Sequence, residues 1–473
     1  MADKYFRDPI HGSISFDKQR EGLIVDLVNT REFQRLRRIR QLGALFLTFH
    51  GAEHTRFTHS IGAAFLAKRM FDALQASGQI PEPPRRAERT RLVAIVAALL
   101  HDLGHGPFSH LYERVFGGRR HEEWTRLIVR NARGEAGRLL RRAGMSEEIL
   151  SVYDRAYRPS FVSDIVSSQL DADRLDYLLR DSYMTGVAYG RYDLDWILTN
   201  LRLARRGPAG PPARPGRGSA ARRPPEACRV EDDLRLAING TKGYHAAEQF
   251  VIGRYLMYQQ VYYHKTGRAA EQMIRTALQR LLDSYGETGR FPDPCPAPIR
   301  TLVSARGEMS VEDFLRLDDW LILSSFAQWA TARAGAVDPI LRDLCARITR
   351  RRLFKTVRVT NDTRHRSFGQ ALDSLNDLFR GKGLDPRYYL LGDDATDLPY
   401  RDLAYADRMG TAPEDIGLSI RGRVVGYMSE RTISPLIDSI RNEPRRIQRL
   451  CFPERMRALV ERRLRPFIAQ ERL

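Results

Sequence analysis

A chain of 473 residues with 42% hydrophobic and 29% charged residues can bury a large core and is too apolar to be broadly disordered. No run approaches the roughly 18 apolar residues of a membrane span, and Met1-Ala-Asp-Lys-Tyr5 holds no signal-peptide core, so a cytoplasmic protein with no membrane partner is expected. The formal charge of +19 suits an anionic partner, nucleotide or nucleic acid, but only seven of the 77 basic residues are lysine, and a general preference for arginine accounts for the charge equally well.

The four cysteines (Cys228, Cys295, Cys345 and Cys451) stand far apart with no CxxC pair, which suits a reduced compartment and argues against a cysteine-ligated zinc site. Residues 5–16 read as a turn and a short strand, punctuated by Pro9 and Gly12. Residues 22–42 read as helical. Phe33, Leu36 and Ile39 form the apolar stripe, and Arg31, Arg35, Arg37, Arg38 and Arg40 make either a solvated basic face or a phosphate-binding surface. His59 opens a helix that continues through Ile61, Phe65, Leu66, Met70 and Leu74. After a loop expected at 78–90, Leu92, Ile95, Val96, Leu99 and Leu100 repeat as a buried helical face. That face leads into Leu99-Leu-His101-Asp-Leu-Gly-His105-Gly-Pro-Phe-Ser-His110, where Gly104, Gly106 and Pro107 end the helix soon after His101.

Further along, Asp173, Asp176, Tyr177, Arg180 and Asp181 fall on one stripe of a helix, and such a stripe is usually a solvated face. Alternating runs at 201–203 and 234–238 predict a hairpin, with a Pro/Gly/Arg-rich insertion at 205–227 that cannot pack a core. One helix is expected over 244–285, placing Arg254, Tyr258 and Tyr262 on one face, and 310–350 reads as helical. Residues 356–473 mix short strands (357–359, 423–427) with helices. Gly392-Asp-Asp-Ala-Thr-Asp397 reads as a turn, since it lacks the spacing of a calcium loop. The expected fold is mainly α, a helical core with small β-hairpin elements and a mixed α+β C-terminal lobe. Its expected divisions are 1–200, 201–240, 241–355 and 356–473.

Taken singly, a histidine near a helix end is more often a core or capping residue than a ligand. His59, His101, Asp102 and Asp173 together are different: two imidazoles and two carboxylates near the ends of apolar helices suit a divalent ion such as Mn²⁺, Fe²⁺, Co²⁺ or Zn²⁺. Such an ion supplies what phosphoester hydrolysis needs, an acidified water and neutralisation of charge at phosphorus. His105, His110 and His121 can then hold phosphate oxygens or protonate the leaving oxygen.

This H…HD…D pattern resembles the HD-domain phosphohydrolases. Arg7-Asp-Pro-Ile-His-Gly12, Phe33-Gln-Arg-Leu-Arg37, Gln41-Leu-Gly43, His54-Thr-Arg-Phe-Thr-His-Ser-Ile-Gly62, the HDLGHGPFSH string at 101–110 and Asp171-Ala-Asp-Arg-Leu-Asp-Tyr177 narrow the resemblance. They resemble the branch of deoxynucleoside triphosphate triphosphohydrolases typified by the human SAM- and HD-domain enzyme, from about residue 7 to 355. No SAM domain is expected before residue 7. The resemblance implies a helical HD core whose divalent metal (Mn, Fe, Mg, Co or Zn) is held by His59, His101, Asp102 and Asp173. It implies phosphate-contact and acid–base roles for His105, His110, Glu113, His121 and Glu122, with Glu113 standing where the human enzyme has Asp. Sugar and phosphate contacts fall on Gln41, Leu42, Arg56, Tyr177, Asp181, Arg254 and Tyr262. In the family the Asp at position 181 meets the 3′-hydroxyl, and the packed tyrosine and leucine side leaves no space for a 2′-hydroxyl. Metal-activated water attacks the α-phosphorus and releases deoxynucleoside and triphosphate.

This chain departs from that pattern at Arg174 (a Lys in the family) and Tyr258 (a His), both in the substrate pocket. Gln34, Arg37, Arg351 and Lys355 match a family site for an activating nucleotide, but Asn29 replaces the carboxylate that selects guanine there, and an amide offers one acceptor and one donor in place of two acceptors. Homodimers or homotetramers are implied. Two other readings stand beside this one: an HD-type nuclease, phosphodiesterase or other nucleotide phosphohydrolase, which the basic charge and the 205–227 insertion favour, and a non-catalytic nucleic-acid-binding protein.

Overall fold

The protein is described from a computed structural model covering residues 3–205, 234–360, 366–397, 415–430, 433–441 and 445–469. The expected insertion at 205–227 falls outside the described residues except for Arg205, as do Cys228 and the side chain of His110.

The Arg56–Ala76 helix runs through the centre. It is buried on nearly every face rather than along one stripe, and Gly62, Ala63, Ala64 and Ala67 let its neighbours approach closely. Against it lie the Pro84–Leu100 helix and the Ala172–Thr185 helix. The Pro84–Leu100 helix starts inside the expected loop, because proline fits the first turn of a helix, where its missing N–H is not needed. It ends one residue before His101, and the chain turns through His101–Gly104. The polar stripe of the Ala172–Thr185 helix is not a solvated face: Asp176, Arg180 and Asp181 are buried against the central helix and pair with other buried groups.

Other elements are more broken than their periodicity predicts. Residues 22–42 form a helix at Gly22–Val28, a short one at Arg31–Gln34 and a tight turn at Arg35–Arg38, because Thr30 leaves the helical conformation and its hydroxyl caps Phe33 N. The stretch expected as one helix over 244–285 is two, Tyr244–Met257 and Lys265–Thr288, joined by a wide π turn at Tyr258–Tyr262. The 310–350 region divides into Val311–Phe314, Asp319–Thr331 and Pro339–Thr349, with Ser310, Asp318 and Asp338 as side-chain caps.

The strands are short. β1 (Lys4–Asp8) and β2 (Gly12–Phe16) form a hairpin. β3 (Leu201–Arg205) and β4 (Leu234–Asn239) pair antiparallel as expected. They close into a small barrel with β7 (Gly417–Ile420) and β8 (Arg423–Tyr427). β5 (Lys355–Val359) and β6 (Leu391–Asp397) flank β9 (Arg445–Phe452) in a second sheet. β6 corrects the turn expected at 392–397. Leu391, Asp393 and Ala395 point inward and Gly392 and Asp394 outward, and Asp393 is tolerated inside because arginines neutralise it. Among the described residues, no helix is long and apolar enough to cross a membrane.

Candidate active site

Four side chains from three stretches meet beside the central helix. His59 Nε2 lies 3.0 Å from Asp173 Oδ1 and 3.7 Å from Asp102 Oδ2; His101 Nε2 lies 3.3 Å from Asp102 Oδ1 and 3.6 Å from Asp173 Oδ1. The far ring nitrogens are occupied. His59 Nδ1 donates to Asp176 Oδ2 at 2.8 Å, and His101 Nδ1 donates to the Ala98 carbonyl at 2.7 Å. Carboxylate and carbonyl only accept, so both Nδ1 atoms carry protons and both Nε2 atoms face the shared centre. Neither Nε2 has a partner aligned for a hydrogen bond among the described residues, although both are buried.

The electrostatics point the same way. Burial disfavours a charged His59, but the Asp173 and Asp176 carboxylates outweigh it and push the imidazole up to about 10. Burial likewise opposes charge on His101, and Asp102 and Asp173 raise it despite that. Burial alone would raise Asp102, but Arg56 and His101 hold it well below the usual carboxylate range. A proton thus takes the place a cation would fill. Ligand atoms of His59, His101 and Asp102 all lie within 4.8 Å of one another, so the set fits a divalent ion.

Arg56 links this cluster to a cavity of about 580 Å³. Its Nη1 donates to Asp102 Oδ2, and its Nε and Nη2 donate to Ser109 Oγ at 3.1 and 2.9 Å. Gln41, Leu42, Arg56, Tyr177, Asp181, Tyr258 and Tyr262 line the cavity, seven of the nine expected substrate residues. Arg174 turns instead to Asp171 and the Ser168 carbonyl, and Arg254 donates to Gln169 Oε1 at 2.7 Å behind the Tyr258 ring. Asp181 accepts from His54 Nε2 at 2.8 Å and from the Tyr262 hydroxyl at 2.6 Å.

On the other side of Asp102, His105 Nε2 approaches its Oδ1 at 3.1 Å and stacks on His121, with ring centroids 4.0 Å apart. His121 Nδ1 lies 2.8 Å from Glu113 Oε1 and 3.3 Å from Glu122 Oε2. Burial, reinforced by Arg56, keeps His105 neutral well below the usual imidazole range. The loop that carries these groups is held from outside: Arg35 Nη2 donates to the His105 carbonyl at 2.9 Å, and Phe108 N donates to Asp319 Oδ1 at 2.8 Å. Phe108 and Ser109 both have positive φ (54° and 55°), which side chains rarely adopt without such restraint.

Among the described residues, those expected to bind an activator are spread over separate places. Asn29 lines a cleft with Thr30, Glu135 and Arg138. Gln34 accepts from Arg37 Nε at 2.8 Å, and Arg37 lies over the Phe57 ring. Arg351 and Lys355 line a separate cleft with Lys265, Arg347 and Arg457.

Sequence reasoning left Asp176, Arg180 and His11 without a role. They form a buried group behind His59: His11 Nε2 is 2.7 Å from Asp176 Oδ1, Arg180 Nε is 2.8 Å from Asp176 Oδ2, and Arg180 Nη1 is 2.8 Å from Asp8 Oδ2. The i, i+4 spacing of Asp176 and Arg180 signals the pair, but their burial needs the partner helix.

A model of the HD domain matches residues 56–181, the segment that carries His59, His101, Asp102 and Asp173, and a model of the HD associated region matches 227–290. The uncharacterized protein YwfO of Bacillus subtilis is 35% identical over 454 residues, 96% of this chain and 92% of its own length. The chain belongs to the HD-domain phosphohydrolases. Among other members of this family, the deoxynucleoside triphosphate triphosphohydrolase SAMHD1 of Danio rerio is 28% identical over 83% of this chain and 61% of its own length. The Homo sapiens enzyme of that name is 27% identical over 60% of this chain and 46% of its own length, so the chain spans about half of these vertebrate relatives. The crystal structure of a phosphohydrolase from Bacteroides thetaiotaomicron superimposes with a TM-score of 0.74 at 26% identity, covering 96% of this chain and all of that one.

Proposed function

We propose that this HD-domain phosphohydrolase cleaves deoxynucleoside triphosphates to deoxynucleoside and triphosphate. The observation that carries the reading is the coupling through Arg56 of the His59–His101–Asp102–Asp173 cluster to a cavity lined by Tyr177, Asp181 and Tyr262. The relatives named as deoxynucleoside triphosphate triphosphohydrolases support it. A divalent ion bound by the four ligands would acidify a water and neutralise charge at phosphorus.

The chain's own groups do the rest. Arg56 neutralises Asp102 and presents its guanidinium at the phosphate end of the cavity. His105, neutral and stacked on His121, turns its one ring proton on Nε2 to Asp102 Oδ1 at 3.1 Å and steadies that carboxylate beside the cavity. Glu113 holds the proton on His121 Nδ1, and the pair delivers a proton to the leaving 5′-oxygen. Asp181 has a lone pair left on each oxygen after His54 and Tyr262, and it accepts the sugar hydroxyl. An activator that touched both Asn29 and Arg351 would lie between copies of the chain, since the two line separate clefts. Sedimentation with and without nucleotide tests that arrangement.

The deciding experiment incubates the protein with Mn²⁺ and each dNTP and resolves the products by ion exchange. Deoxynucleoside plus triphosphate is expected, and loss of the reaction in Asp102→Ala. Monophosphate plus pyrophosphate, or cleavage of an oligonucleotide that Asp102→Ala abolishes, would replace this reading with the phosphodiesterase or nuclease one.

A further inference from the structure

Part of the cavity wall is built by Tyr263 and the first turns of the Lys265–Thr288 helix: Arg268, Glu271 and Gln272. This part rests on the C-terminal sheet. Asp393 of β6, 2% exposed, accepts on Oδ1 from Arg268 Nε at 3.0 Å, Arg268 Nη2 at 2.6 Å and Gln272 Nε2 at 3.0 Å. Its cross-strand partner Arg449 on β9 reaches Asp393 Oδ2 at 3.3 Å and donates to the Tyr263 carbonyl at 2.8 Å. One buried carboxylate thus ties two strands of the C-terminal sheet to the wall of the cavity.

The bond to Asp393 also decides which way the Gln272 amide faces. A carboxylate only accepts, so the amide nitrogen is turned to Asp393 and Oε1 is turned away. Gln272 is 5% exposed and lines the cavity, and its Oε1 has no hydrogen-bond partner among the described residues. A buried acceptor without a donor is costly, and here a ligand can supply one. Beside it, Arg268 uses three N–H groups on Asp393 and Glu271, which leaves a donor on each terminal nitrogen. The wall therefore offers an acceptor next to donors. A phosphate, which only accepts, leaves the amide oxygen unmet. The edge of a nucleobase satisfies both, because each of the four bases carries an N–H beside an acceptor.

We propose that Gln272 and Arg268 contact the base of the bound nucleotide and that Asp393, in the C-terminal sheet, is the positioning residue that holds both in place. This rests on the nucleotide reading above. It gives part of the 356–473 region a role in substrate binding.

Calorimetric titration of the full chain in Mn²⁺ tests it, using 5′-methylene analogues of the four dNTPs, which cannot release the nucleoside, and inorganic tripolyphosphate, which has no base. Gln272→Met keeps the bulk and removes the acceptor. It should weaken all four analogues about tenfold, the effect of one hydrogen bond, and leave tripolyphosphate within twofold of the parent. Asp393→Asn should weaken the analogues similarly and, with natural dNTPs, raise KM while kcat stays within twofold. Parent-like analogue binding by Gln272→Met overturns the base contact. Equal losses for tripolyphosphate and analogues in Asp393→Asn overturn the positioning role, since a general loss of structure strikes both. A parent protein that binds tripolyphosphate but none of the analogues overturns the nucleotide reading instead.

Discussion

Asp176 Oδ2 accepts from His59 Nδ1 at 2.8 Å while Arg180 clamps the same carboxylate from behind at 2.8 and 2.9 Å. Burial works against the charge on Asp176, but Arg180 and the hydrogen bonds from His11 and His59 hold it well below the usual carboxylate range, so it stays an acceptor. It fixes the His59 tautomer and aims Nε2 at the cluster. Outer partners of this kind typically change metal affinity by about 10–100-fold when altered. Asp176→Asn should therefore lose bound metal by that factor, measured by competition with a chelator, while His59, His101, Asp102 and Asp173 are all intact. Parent-like affinity would reduce Asp176 to a packing role.

Gly62 is where the central helix meets this pair. A Cβ added there would stand 2.0 Å from Asp176 Oδ1, 2.5 Å from Arg180 Nη2 and 2.7 Å from Asp176 Cγ. Alanine gains about 1 kcal/mol over glycine in a helix interior, but these neighbours are tied on several sides and cannot step back. Overpacking, about 1–3 kcal/mol, wins. Gly62→Ala should lower the melting temperature and weaken metal binding together; Gly286→Ala, on an open face of the Lys265–Thr288 helix, should do neither.

What was legible in the sequence follows from how local each signal is. The apolar periodicity before His101 and the glycines after it place the turn that carries Asp102 and His105, because helix burial and helix termination are written within a few residues. The same periodicity runs over the breaks at Thr30 and Tyr258–Tyr262, where a cap and a wide turn interrupt without changing the pattern. Asp176 reads as one more polar residue on a stripe, since its partner His59 is 117 positions away. Asp393 reads as a turn former because neither Arg268 nor Arg449, which make a buried carboxylate acceptable in a strand, is near it in the chain.

Asp319 should make stability depend on pH. It is fully buried and takes backbone N–H bonds from Arg40 and Phe108, each at 2.8 Å. Burial outweighs those bonds and pushes its carboxyl up to about 6. The unfolded chain titrates near 3.9, so between these values the folded protein binds the extra proton. Stability from this group is present below about pH 4 and is lost as pH rises through about 6, by roughly 3 kcal/mol in all at about 1.4 kcal/mol per unit. Asp319→Asn cannot titrate. The melting temperature of the parent relative to Asp319→Asn should fall between pH 4.5 and 7 and level off above. A constant difference across that range would show that the carboxyl titrates normally.

Under the proposed dNTP reading, Tyr177 is the residue that tests sugar discrimination. It lines the cavity beside Asp181, and its ring stands edge-on to Tyr262 with centroids 6.4 Å apart. Tyr262 is also tethered, through its hydroxyl, to Asp181 Oδ2 at 2.6 Å. The two rings and the carboxylate therefore form one connected surface, and Tyr177 is the ring in it whose removal leaves the Tyr262 and His54 bonds to Asp181 intact. Tyr177→Ala should open space at the sugar without removing the acceptor for its hydroxyl. The dNTP reaction should slow through lost packing, while ribonucleotides gain relative to it. We expect the ratio of kcat/KM for ribo- over deoxyribonucleoside triphosphate to rise at least tenfold, about 1.4 kcal/mol of differential binding. Asp181→Asn, by contrast, should slow both substrates alike, because it alters the acceptor that both sugars use. If Tyr177→Ala leaves the ratio unchanged, the exclusion of a 2′-hydroxyl belongs to another wall of the cavity, with Leu42 the first to examine.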